Sequence, residues 1–212
     1  MPINSKYLAH LESGKFYHIY NRAVAKNLLF FNDGNYTHFL KKYDEYFSDY
    51  AEMYAYCLLP NHFHFLVRIK EDFWNKNEKC LTFQKKYAEQ NENDFLVKQM
   101  QNFFISYAMG VNKQQNRKGN LLLHPFKRVL VDSDAYFSRL IYYIHRNPVH
   151  HRLAQHYKNY VWSSYQRILN DKPTKLEKKA VLEWFGGKET YQQFHTELQD
   201  LSSIEHLLIE ED

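Results

Sequence analysis

Cysteine is scarce in this chain: two in 212 residues, Cys57 and Cys80, far apart and in no C-x-x-C pair. That excludes a disulfide scaffold and a cysteine-rich zinc site, and Cys57, inside an apolar run, reads as a small buried hydrophobe. Long apolar stretches are missing as well. None reaches the length that spans a bilayer, and the N-terminal MPINSKYLAHLESGKF carries no apolar signal-peptide core. A reducing, cytoplasmic setting with no membrane partner is the expectation. No G-x-x-x-x-G-K-[ST] run is present, which argues against a P-loop nucleotide site. Internal repeats and low-complexity tracts are also lacking.

What the chain has is aromatic side chains and histidine. Eighteen Tyr and sixteen Phe supply most of the 17% aromatic fraction, beside twelve His. Most tyrosines in such a chain line the edges of a core, but an excess of them also suits wet stacking surfaces for unpaired bases. The formal charge of +4 is mildly basic and compatible with a nucleic-acid partner. The length suffices for one α/β domain with an appendage, or for two small domains.

Periodicity gives the organisation. The alternating FYHIYNR predicts a strand over 16–22, NDGN a turn, and Phe39, Leu40, Tyr43 and Phe47 recur at helical spacing. AEMYAYCLLP predicts a second strand ending at Pro60. Residues 62–69 make a third, so close behind that the two form a hairpin. Residues 72–94 are polar, a helix and loops. Apolar residues at 95, 96, 103, 104, 107 and 111 then mark an amphipathic helix over 95–116. HPFKRVLVD reads as a strand. A last core helix covers 134–147, with Ser133 or Asp134 as its cap and Pro148 as its stop. After NDKPTK, residues 171–212 read as a helical C-terminal extension to a domain spanning 1–170. The pattern is α+β, helices packed on an antiparallel sheet.

Within LLPNHFHFLVR, residues 58–68, His62 and His64 lie two apart on a strand and so project from one face, while Phe63 and Phe65 face the other way. Two imidazoles so placed can close on one divalent ion, or can simply be a pair of partly exposed strand histidines. On the 134–147 helix, Phe137, Leu140, Ile141 and Ile144 form the buried stripe. Tyr136, Tyr143 and Asn147 share one flank of it, and Tyr142 points nearer solvent. Tyr143 and Asn147, one turn apart, can therefore face a site together, or Tyr143 can be an ordinary boundary tyrosine. An amide oxygen is a suitable third ligand for a hard cation.

Taken together and in order, these segments resemble a known family. LLPNHFHFLVR resembles the HUH motif (His, hydrophobic, His) of single-tyrosine transposases. VDSDAYFSRLIYYIHRNPV resembles the YIHxNPV segment of the IS200 type, and is typical of the REP-associated tyrosine transposases. GNLLLHPFKRVLVDSDAYF is similar to that family's G-x-L-[FW]-Q-x-[RY]-[FY]-K stretch, with His124 where Gln is usual. The resemblance spans roughly residues 15–168. It implies a ferredoxin-like fold and cleavage and rejoining of single-stranded, hairpin-associated DNA through a 5′-phosphotyrosine link. On matching positions it makes Tyr143 the nucleophile, His62 and His64 ligands of Mg²⁺ or Mn²⁺, and Asn147 a third ligand. Pro148, however, disfavours helical geometry at Asn147.

Asn21, Arg22, Arg68, Arg117, Lys118, Lys127 and Arg128 are candidate DNA contacts or, equally, a solvated basic surface. Trp162 reads as core packing. Two further readings stay open: a hairpin-binding protein without strand transfer, and a metallohydrolase in which Tyr143 is dispensable. The family includes monomers as well as dimers that share sites between chains, so a homodimer is one expected assembly.

Overall fold

The FYHIYNR stretch forms strand β1, Phe16–Arg22, and lies inside a four-stranded antiparallel sheet. The computed structural model describes residues 7–25 and 27–201; the part of the expected extension beyond 201 lies outside the described residues. Helix α1, Asp33–Phe47, follows, capped by the Asn32 side chain, which accepts from the Asn35 N–H. Strands β2, Ala51–Leu59, and β3, His62–Ile69, are joined only by Pro60 and Asn61, a hairpin as its spacing predicts. Two short helices, α2 (Phe73–Lys76) and α3 (Glu78–Lys86), fill the polar region. They lead into the long α4, Glu92–Gln114, started by a reciprocal capping box between Asn91 and Asp94. Strand β4, Lys127–Val131, and helix α5, Asp134–His150, complete the core.

The strand order β2-β3-β1-β4 is that of the ferredoxin-like β-α-β-β-α-β unit. Register sorts the side chains. Tyr20 lies opposite His64 and Lys127, and Arg22 opposite His62. Opposed residues share a face, so His18, Tyr20, Arg22, His62, His64, Arg68 and Lys127 project from one side of the sheet. Ile19, Asn21, Phe63, Phe65 and Arg128 project from the other.

The second side carries the apolar load. Phe39 of α1 sits among Phe63, Phe65, Phe103 and Tyr107, ring centroids 4.7–5.9 Å apart. Burial of each such ring contributes about 1.5–3 kcal/mol. Helix α5 covers the first side, anchored by Phe137 against Phe16 at 5.0 Å.

Two sequence expectations about α5 are corrected. The helix does not stop before Pro148 but runs on to His150, so Asn147 is helical. Proline removes one helical N–H. The last turn is held instead by His151 donating to the Asn147 carbonyl at 3.0 Å and Leu153 donating to that of Pro148 at 2.7 Å. Tyr142 is buried rather than near solvent, its ring 6.0–6.2 Å from those of Phe194 and His195. The covering element comes from a part of the chain that the periodicity of α5 cannot reveal.

That element belongs to the C-terminal helices α6 (Tyr165–Leu169), α7 (Lys178–Trp184) and α8 (Lys188–Thr196). Val181, Phe185 and Tyr191 join the same core as the sheet. The segment also straps the outer edge of β2: Ser164 donates to the Tyr56 carbonyl, Leu58 to that of Trp162, and Glu177 to that of Met53. At the other edge Ala9 donates to the Arg128 carbonyl of β4 at 3.0 Å. No helix among the described residues is long and apolar enough to cross a membrane.

A buried polar chain ties α8 to α5. His195 Nδ1 lies 2.8 Å from the Tyr191 carbonyl, which can only accept, so His195 is Nδ1–H and its Nε2 is an acceptor. His145 Nδ1–H then donates to that Nε2 at 2.9 Å, and Ser164 Oγ–H donates to His145 Nε2 at 2.8 Å. Ser164 Oγ in turn accepts from the Tyr56 N–H. Every proton is assigned only while both imidazoles are neutral, and burial holds both below the ordinary histidine range. The unfolded chain therefore binds more protons than the folded one below pH 6.5, and the contribution of these groups is complete above that pH and lost as pH falls. Thermal unfolding from about pH 7 to 5 is expected to show a falling Tm, flattened in His195→Gln; an unchanged pH dependence in that variant contradicts the assignment.

Candidate active site

Strand β3 and helix α5 bring four of the expected residues together. His62 Nε2 is 3.3 Å from Asn147 Oδ1. The His64 ring lies 5.2 Å from that of His62 and 5.3 Å, edge-on, from that of Tyr143. All four side chains are buried. Because α5 stays helical through Asn147, Tyr143 and Asn147 are stacked one turn apart above the histidine face, as the flank assignment requires.

Histidine 18 completes the cluster and was not anticipated. Its Nε2 and His64 Nδ1 are 2.9 Å apart, its ring stacks on Tyr20 at 4.5 Å, and Tyr143 stands edge-on to it at 6.4 Å. The signal was present in the period-2 pattern of FYHIYNR, which puts His18 and Tyr20 on one face. Only the pairing of β1 with β3 shows that this face is the one bearing His62 and His64. His151 packs against His62 from beyond the end of α5, rings 4.7 Å apart.

Burial governs the electrostatics. It lowers the pKa of His18 to about 3, and lowers that of His64 well below the ordinary range, with His18, His62 and His151 adding to the effect. Both imidazoles are therefore neutral and have a lone pair to offer. His64 Nε2, His18 Nδ1 and Asn147 Nδ2 are among the buried atoms that lack a hydrogen-bond partner.

This donor set fits a divalent cation. Ligands at right angles around an ion at about 2.1 Å lie about 3 Å apart, close to the separation of His62 Nε2 and Asn147 Oδ1. His64, whose ring is 5.2 Å from that of His62, has an unpartnered Nε2 to offer as a third donor. Among the described residues, no group of three or more His, Cys, Asp or Glu is arranged to hold a metal. The third protein ligand would have to be the amide.

The expected DNA contacts divide. Arg22 and Lys127 share the histidine face, in register with His62 and with the Tyr20–His64 row. The Lys127 ammonium lies over the rings of Tyr7 and Tyr20 at 4.9 and 5.6 Å, and its pKa is lowered by burial and then by Arg22. Arg117 and Lys118 lie in the turn after α4, where Arg117 donates to Asn112 Oδ1 at 3.0 Å. The other three are committed elsewhere. Arg68 is six residues along β3 from His62, about 20 Å, and is paired with Glu71 and Glu52. Arg128 is buried on the far face, donating from Nε to the Ala9 carbonyl. Asn21, also on the far face, donates to the Leu123 carbonyl at 2.9 Å and accepts from the Arg22 N–H. Trp162 stacks on Tyr36 at 4.5 Å, as core packing requires.

No family model matches the chain, and no curated protein matches it in sequence. Among solved structures, one of a REP-associated tyrosine transposase bound to a REP hairpin is similar to it. The identity is 15%, over 78% of this chain and 86% of that one, with a TM-score of 0.51. The chain thus shares the α+β fold of that protein: a four-stranded antiparallel sheet with helices packed on it.

Because Asn21 serves the backbone, Asn21→Ala is expected to lower stability by about 1–3 kcal/mol in chemical denaturation. An Asn21→Ala protein as stable as the parent would show that this amide is free for another role.

Proposed function

We propose that the protein cleaves and rejoins single-stranded, hairpin-associated DNA, with Tyr143 as nucleophile. The observation that carries this reading is the convergence of Tyr143, His62, His64 and Asn147 on one side of the sheet. Three motifs in family order support it, and so does the fold shared with a transposase solved on a REP hairpin.

Chemically, the phenol oxygen forms a bond to phosphorus as the bond to the leaving 3′ oxygen breaks, giving a 5′-phosphotyrosine and a free 3′-hydroxyl. Attack by a 3′-hydroxyl reverses the step, so the phosphodiester energy is kept and no nucleotide cofactor is needed. His62, His64 and Asn147 would hold Mg²⁺ or Mn²⁺. That ion, when bound, supplies polarisation of the scissile phosphate and offsets charge developing on it. A phenol of pKa about 10 is a weak nucleophile at neutral pH without such help. Lys127 and Arg22, projecting from the same face, suit backbone phosphates on either side of the scissile bond.

A second reading, hairpin binding without cleavage, draws support from the burial of Tyr143. Incubation with single-stranded hairpin DNA and Mn²⁺ separates the two on a denaturing gel. The expected result is a covalent protein–DNA adduct that is absent in Tyr143→Phe and in His64→Ala, while both variants still bind DNA. Cleavage persisting in Tyr143→Phe eliminates the tyrosine mechanism and points to an activated water; binding with no cleavage by the parent favours the second reading.

Phosphate contacts are tested by salt titration. Lys127→Ala is expected to weaken binding to single-stranded DNA and to reduce the slope of log K against log salt by about 0.7 per lost contact. Arg68→Ala should leave that slope unchanged, since its charge is already paired at the far end of β3.

A further inference from the structure

His18 is buried completely, sits diagonally across the β1–β3 pair from His64, and touches it through one nitrogen. Two neutral imidazoles sharing one hydrogen bond have two arrangements. In the first, His64 donates Nδ1–H to His18 Nε2, and the other nitrogen of His64 carries a lone pair. In the second, His18 donates Nε2–H, and His64 carries its proton on Nε2, where it can bind no cation. The 2.9 Å contact alone allows both, unlike the His145–His195 pair, whose protons are dictated by a backbone carbonyl.

Two observations bear on the choice. His64 Nε2 has no hydrogen-bond partner among the described residues, and the His64 ring lies 5.2 Å from that of His62, whose Nε2 is 3.3 Å from Asn147 Oδ1. Each arrangement leaves one buried N–H unpaired, on His18 Nδ1 in the first and on His64 Nε2 in the second, so hydrogen bonding does not separate them. Only the first leaves a lone pair on His64 Nε2 to join a ligand set. Ring orientation is set by the contact itself: a half-turn of His64 keeps its ring plane beside Tyr20 but puts Cδ2 in place of Nδ1 against His18 Nε2 and loses the 2.9 Å hydrogen bond.

We infer that His18 is a positioning residue for metal binding: by accepting from His64 Nδ1–H it holds His64 in the one tautomer and orientation in which Nε2 can ligate a divalent cation. In most metal sites that supporting acceptor is a carboxylate or a backbone carbonyl; here a second neutral imidazole serves. The inference rests on the reading of His64 as a ligand, and its test is built so that the two can fail separately.

The first readout needs neither metal nor activity. In ¹⁵N-histidine-labelled, metal-free protein, long-range ¹H–¹⁵N correlation spectra report which ring nitrogen of each histidine is protonated. The expected result is Nδ1–H for His64; Nε2–H for His64 overturns the inference. The second readout is Mn²⁺ affinity by calorimetry in the parent, His18→Leu and His18→Gln. His18→Leu removes the acceptor and is expected to raise the Mn²⁺ Kd by about 10- to 100-fold. His18→Gln offers an amide oxygen in its place and should recover most of the affinity. A folded His18→Leu protein that binds Mn²⁺ as tightly as the parent overturns the inference and leaves the metal reading intact. A parent that shows His64 as Nδ1–H yet binds no Mn²⁺ overturns the metal reading and, with it, the role assigned to His18. Should His18→Leu fail to fold, the parent spectrum and the His18→Gln affinity still decide: a His18→Gln Kd raised as far as the acceptor-free expectation counts against the inference.

Discussion

The antiparallel register between β1 and β3 is the constraint on which the candidate site depends. His62 opposite Arg22, and His64 opposite Tyr20, bring one alternating face of each strand into a single polar strip at the centre of an otherwise apolar sheet. A slip of one residue in either strand would exchange faces. Phe63 and Phe65 would then meet α5, and the histidines would be driven among Phe39, Phe103 and Tyr107, where nothing could satisfy their nitrogens. The aromatic packing under the sheet thus does more than stabilise the fold. It penalises every slip by an odd number of residues, since each would turn the histidines away from Tyr143.

That arrangement explains which parts were legible in the residues alone. Strand alternation and helical spacing were enough for the elements, because Phe39, Phe63 and Phe103 repeat at the periods that burial demands. His62 and His64 on one face, and Tyr143 with Asn147 on one flank of α5, follow from local geometry and need no knowledge of the partner element. His18 escaped for the converse reason. Its neighbour in space is 46 residues away, and the contact exists only through strand pairing. The basic residues failed to separate by type alone, since Arg68 and Lys127 look alike in sequence. One is neutralised by Glu52 and Glu71, and the other stands over two tyrosine rings in the row of His64.

Helix α5 departs from its sequence pattern at Pro148 and Tyr142 for a related reason: helical periodicity describes a helix standing alone. In the folded chain the turn around Pro148 is held by donors from residues 151 and 153, and Tyr142 lies beneath α8. The proline consequently does not end the helix before Asn147. It lies one residue past the amide, which keeps the one-turn spacing from Tyr143.

The straps on the two outer strands have a consequence for life in a crowded cell. Residues 162–164 and 177 occupy backbone groups of β2, and Ala9 does the same for β4. An exposed strand is a template on which neighbouring chains can stack into aggregates, and aromatic-rich β sequences such as those of β1 and β3 are prone to do so. Here those two strands lie innermost and the outer pair are partly closed by the chain itself. Copies of this protein that assemble have more to gain from their helical surfaces than from extending the sheet, so it can carry a dense aromatic core without offering it to its neighbours.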